Sequence, residues 1–135
     1  MNDTSFIVVS SELSNVNKVI DWLENNLFEI IKDKEKRSTF TLVIKEAIVN
    51  AIIHGNKKNK EKKVTVSYLI SKKDLHVNIQ DEGKGIPLSN KIKENVNDED
   101  LLKESGRGII LMKHLCKDVI FNKTSIELVM EVWYE

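Results

Sequence analysis

The chain has one cysteine, Cys116, among 135 residues, and that alone excludes a disulfide framework. Its neighbours Leu111, Met112 and Leu115 mark the thiol as a packing group rather than a reactive one. Net charge is missing too, since 21 basic side chains balance 21 acidic ones. There is then no global field to hold a nucleic-acid backbone or an anionic membrane. No apolar run comes near the ~20 residues that span a bilayer. The start, "MNDTSFIVVSSELS", has no basic stretch followed by a long apolar one. The expectation is a cytoplasmic protein with neither a membrane nor a nucleic acid as direct partner. The length suits a single domain over residues 1–135 that buries its core without metal or disulfide staples.

What is present is periodicity. Phe6 to Val9 forms a short strand pattern, followed by Ser, Glu and Asn residues that start helices. Val16, Val19, Ile20, Leu23, Leu27, Ile30 and Ile31 recur at intervals of mostly three and four, which predicts an amphipathic helix. "KDKEKR" reads as a solvated connection. Thr39 to Ile53 reads as a second, more buried helix that ends at Gly55 in a left-handed cap. "NKKNKEKK" is either a wet loop or a phosphate or partner patch. Val64 to Ile70 and Leu75 to Gln80 form strand patterns joined by "SKKD", which predicts an antiparallel hairpin. From Gly85 to Ser105 the pattern is too polar for a core element and too long for an idle connection, as in a lid. Helical periodicity returns from Ser105 to Lys117. Asp118 to Asn122 and Ile126 to Tyr134 then read as closing strands.

Glycine is scarce, with five in all: Gly55, then the pairs Gly83 with Gly85 and Gly106 with Gly108, on either side of the polar stretch. Glycine lets a backbone come close to a ligand, so two such pairs at the mouth of one loop imply a group gripped by main chain. Neither the dinucleotide fingerprint nor the P-loop spacing is present. "SGRGIILM" opens a helix, where unpaired N–H groups and the dipole favour a phosphate; a serine N-cap with close helix packing is the alternative. Asp81 falls on the strand face of Leu75, Val77 and Ile79, pointing a carboxylate toward the core. Such a group needs a donor, either a ligand amino group or the backbone of "DEGKG" in an Asx turn.

Glu46, Asn50 and His54 recur at four-residue spacing inside the apolar "IKEAIVNAIIHGN" and so share one helix edge. Asn50 is a hard oxygen donor suited to magnesium that keeps its waters and bridges phosphates. Glu46 suits a base directed at a hydroxyl or water in line with a terminal phosphate. An ordinary half-exposed polar edge is the competing explanation. His54 is a minor contact, because no cysteine or second histidine stands near it at zinc spacing.

"EAIVNAIIHGN", "DEGKGI" and "ESGRGIILM", in this order, resemble the N box and the two glycine boxes of the gyrase/chaperone/histidine-kinase/MutL (GHKL) ATPase superfamily. The match covers residues 46 to 112, and the histidine-and-glycine ending of the first motif resembles the anti-sigma factor serine/threonine kinases. The resemblance implies a Bergerat-type α+β two-layer sandwich, a mixed, mostly antiparallel sheet covered on one face by helices, with ATP and Mg2+ as cofactors. It implies Glu46 as the catalytic carboxylate, Asn50 as the magnesium ligand and Asp81 as acceptor for the adenine amino group. Gly83, Gly85 and Ile86 would lie beside base and sugar, His54 at the edge, and Ser105, Gly106, Arg107 and Gly108 around the phosphates. The implied partners are a STAS-domain anti-anti-sigma protein, phosphorylated on serine or threonine, and a sequestered sigma factor; a homodimer is also in keeping with the family. Members commonly have a further glycine turn between the last two strands, where this chain reads "FNKTSIELVMEVW" and offers Thr124 or Ser125 as hydroxyl contacts. That departure keeps open a second class, a nucleotide-gated binding module with little or no turnover.

Overall fold

The computed structural model describes residues 5–27, 30–83 and 106–132, with 106–108 as backbone only. Five strands form one sheet in the order β1-β2-β3-β5-β4: β1 (Ser5–Ser10), β2 (Lys63–Ser71), β3 (Asp74–Gln80), β4 (Asp118–Phe121) and β5 (Ser125–Glu131). Every pairing is antiparallel, with Val66 opposite Ile79, Ile79 opposite Ile126 and Val119 opposite Leu128. The mostly antiparallel sheet that the resemblance implies thus contains no parallel pair among the described residues.

Alternation decides which face of the sheet is covered. Val64, Val66, Leu75, Val77, Ile79, Leu128 and Met130 are buried on one side. On the other, Phe6 and Val8 of the edge strand remain 64% and 48% exposed. Among the described residues three helices cover the buried side: α1 (Asn15–Leu27), α2 (Lys34–Asn50) and α3 (Gly106–Leu115). The stripe Val16, Val19, Ile20, Leu23 and Leu27 fastens α1; Phe40, Val43, Ile44, Ala47 and Ile48 fasten α2; Met112 anchors α3. The helix α2 also packs against α3.

Three expectations are corrected. The amphipathic pattern through Ile31 does not make one helix: α1 ends at Leu27, whose carbonyl accepts from Ile30 N and Ile31 N, and Ile31 reaches the core from beyond the helix. "KDKEKR" is not a loose connection but the start of α2. Asp33 is its N-cap and accepts from Glu35 N at 2.9 Å and Lys36 N at 3.1 Å, a bond pattern that a run of charges conceals in sequence. Finally, the second helix does not close on a left-handed Gly55. It widens into a π-helical turn over Ala51–Gly55, closed by Asn56 N to Ala51 O at 2.9 Å, and positive φ falls on Lys57 (55°) and Lys58 (59°). π turns of this kind occur often at functional sites.

The predicted hairpin between β2 and β3 is present, with Ser71 opposite Asp74 and Lys72 at φ 58°. The stretch read as a lid, Gly85 to Ser105, lies outside the described residues.

Candidate functional site

The central strand β3 runs into Asp81, and four elements meet there. Antiparallel pairing places the start of β2 and the start of β5 beside Gln80, through Thr65 and Ser125. The π turn that ends the N-motif helix arrives at the same point. A Cβ on Gly55 would stand 2.5 Å from Cγ of Asp81, and one on Gly83 would stand 2.7 Å from the carbonyl carbon of Gly55. No side chain fits in either gap. Two of the five glycines therefore let protein approach protein: the π turn, the acid and the "DEG" loop are in contact with one another.

Hydrogen bonds hold this corner. Asp81 N donates to Thr124 O at 2.8 Å, Glu82 N to Asn56 Oδ1 at 2.8 Å, and Gly83 N to Asp81 Oδ1 at 2.8 Å. Three successive N–H groups thus have three separate acceptors. The last bond is an Asx turn, the alternative considered from the sequence. That bond orients the carboxylate, which can accept at about four lone-pair positions. Asp81 is half-buried, since it lies one residue beyond the strand.

Thr124 accepts a second time, its Oγ1 taking a hydrogen bond from Gln80 Nε2. The Thr124 hydroxyl is thus engaged by Gln80, and its carbonyl by Asp81 N, in a β4–β5 turn closed by Asn122 N to Ser125 O at 2.9 Å.

Glu46, Asn50 and His54 are all half-buried, along the border of the stripe that α2 and the π turn bury. No group of three or more His, Cys, Asp or Glu side chains placed to hold a metal occurs among the described residues. The donor set here is an amide and a single nearby carboxylate on one helix, which fits a magnesium ion that takes its remaining ligands from water and phosphate. Gly106, Arg107 and Gly108 form the first turn of α3, the helix that packs against α2. Gly85, Ile86 and Ser105 lie outside the described residues.

Sequence reasoning missed Asn56. It is fully buried, and its Nδ2 donates to Ser11 Oγ at 2.8 Å and Lys63 O at 2.9 Å while its Oδ1 holds Glu82. The only trace in sequence is an amide directly after a helix-ending glycine and before a lysine run. Cys116 behaves as expected: it packs against the core, and burial pushes its thiol up to about 11.

A family model described as "Histidine kinase-like ATPase domain" matches residues 9–132. Curated relatives named Anti-sigma F factor are similar to part of the chain. The one from Bacillus subtilis (strain 168) is 35% identical over 78 residues, covering 57% of this chain and 53% of the relative. That of Geobacillus stearothermophilus is 33% identical over 79 residues, 58% of this chain and 54% of the relative. That of Anoxybacillus flavithermus is 32% identical over 93 residues, 64% of each. The matched stretch spans little more than half of the first two relatives.

Proposed function

Because the chain belongs to the histidine kinase-like ATPase domain family, we propose that it binds ATP with Mg2+ and transfers the terminal phosphate to a serine or threonine of a STAS-domain anti-anti-sigma protein, and that it sequesters a sigma factor. The observation that carries the nucleotide part is the corner at Asp81, an acid oriented by its own loop and packed on the glycine that ends the N-motif helix. An oriented carboxylate at the end of a central strand suits the amino group of adenine as donor. The name shared by the relatives supports a sigma factor as target.

Asn50 would hold magnesium through its amide oxygen, and Gly106 to Gly108 would offer backbone N–H groups at the start of α3 to the phosphates. Magnesium, when bound, neutralises phosphate charge. Glu46, one turn before Asn50, would take the proton of the attacking hydroxyl. Phosphoryl transfer is mainly positioning and charge stabilisation, so these few groups suffice if they are rigidly placed. The exposed Phe6 and Val8 on β1 are where we place a homodimer or partner contact.

Incubation of the protein with ATP, magnesium and candidate STAS proteins, read by mass spectrometry for phosphoserine and phosphothreonine, tests the proposal. Modification that requires Glu46 supports it. Nucleotide binding with no modification favours the second reading, a nucleotide-gated binding module. The observation behind that second reading is the β4–β5 turn, which has no glycine and whose Thr124 bonds to Gln80 and Asp81.

A further inference from the structure

Asn56 is a fully buried polar side chain, outside the acid and its loop, that bonds directly to that loop, and its partner Ser11 is buried with it. Its orientation follows from its partners. Ser11 Oγ gives its own hydrogen to Lys62 O at 2.7 Å and Lys63 O is a carbonyl, so both require a donor; Glu82 N requires an acceptor. Only one amide orientation meets all three needs. Asn56 also follows Gly55 directly, and Gly55 is the residue that touches Asp81. Its bond to Glu82 N fixes the residue after the acid, and the preceding glycine lies against the acid itself. The Glu82 carboxylate in turn accepts from Lys63 N.

We infer that Asn56 is a positioning residue that registers the π turn against the Asp81 loop, and that through this register it sets selectivity for a purine bearing an exocyclic amino group. The inference rests on the nucleotide reading above. Without Asn56 the Asp81 carboxylate keeps its Asx turn to Gly83 but loses the anchor on the intervening peptide. The acid can then shift relative to a bound base, and the hydrogen bond it would accept is the one most sensitive to such a shift.

The test measures ADP and inosine diphosphate binding by calorimetry in the wild type and in Asn56→Ala, Ser11→Ala and Val19→Ala variants, with thermal melts on each. Inosine diphosphate has a carbonyl in place of the amino group and so offers Asp81 no donor there. The wild type is expected to prefer ADP. Asn56→Ala should lower the ADP-to-inosine diphosphate affinity ratio by about tenfold, the worth of one well-made hydrogen bond to a charged group. Ser11→Ala, which removes one of the two acceptors of the amide together with the hydroxyl's own bond to Lys62 O, should lower the ratio by roughly threefold. Val19→Ala destabilises the core remote from the corner, so its melt should fall with the ratio intact. An unchanged ratio in folded Asn56→Ala overturns the inference while leaving the nucleotide reading in place. If Asn56→Ala does not fold, an unchanged ratio in Ser11→Ala overturns it. A wild type that binds neither diphosphate, or binds both alike, defeats the reading of Asp81 and the inference with it.

Discussion

The two ends of β3 are built differently. At Asp74 the strand turns back through Lys72 and Lys73 in a short exposed hairpin, and Asp74 meets Lys117 Nζ at 2.9 Å in an ion pair at the surface. At Asp81 the same strand runs into a corner where two backbones touch and a fully buried amide has three partners. A hairpin end is satisfied by neighbours in sequence. A corner needs distant segments to arrive together: Asn56 bonds a group 26 residues ahead and another 45 behind. Order that is assembled from afar costs more to maintain, and here it surrounds the acid proposed to recognise adenine.

Four changes break or sharpen that contrast. The largest effect is expected from Glu46→Ala, which should reduce phosphate transfer by about 10²- to 10⁴-fold if Glu46 is the general base, with nucleotide affinity largely kept. Rates with saturating ATP and a STAS substrate measure this, and full activity would remove Glu46 from the chemistry.

Next comes Gly83→Ala. The new methyl would meet the Gly55 backbone, which cannot rotate away as a flexible side chain would. Destabilisation of about 1 to 3 kcal/mol is expected in urea titration, with at least a tenfold loss of ADP affinity. A variant as stable and as tightly binding as the wild type would show that the two backbones have room to separate.

A smaller effect concerns Cys116, outside both ends of the strand. Burial pushes its thiol up to about 11 from 9.0, so the folded chain keeps a proton that the unfolded chain gives up first. That contribution to stability is complete below the unfolded value and is lost as pH rises from about 9 toward 11. Urea midpoints measured across that window should fall, and Cys116→Ala should fall less steeply. Parallel slopes for the two proteins would disprove the assignment.

The smallest effect is at the other end of β3. Lys117→Ala removes an exposed partner of Asp74 and should leave both the melting temperature and ADP affinity unresolved from wild type. A loss of nucleotide binding in that variant would abolish the distinction between the two ends.

The motifs themselves were readable. Asp81 lies one residue beyond the strand whose Leu75, Val77 and Ile79 are buried, and Glu46 and Asn50 are half-buried on α2, while the π turn takes His54 off the four-residue spacing. Gly83 was read as a place where a Cβ would block a ligand and Gly55 as a left-handed cap, but the neighbour that excludes a Cβ is the backbone of Gly55 at the first and the Asp81 carboxylate at the second. The N-cap at Asp33 and the π turn at Ala51–Gly55 were misread for a common reason: each depends on which backbone groups find partners, while a run of charges or an apolar repeat looks the same in either case.

By itself, the order of residues determined the faces of helices and strands, the hairpin between β2 and β3, and the three motifs of an ATPase family, because periods of two and of about 3.6 are local properties of a chain. Only the tertiary structure decided that Asn56 would be buried, that the π turn would press on Asp81, and that Thr124 would bond to the acid's own backbone. A polar side chain has no preference for burial until its partners are in place, and these partners come from strands and turns that meet only when the sheet has formed.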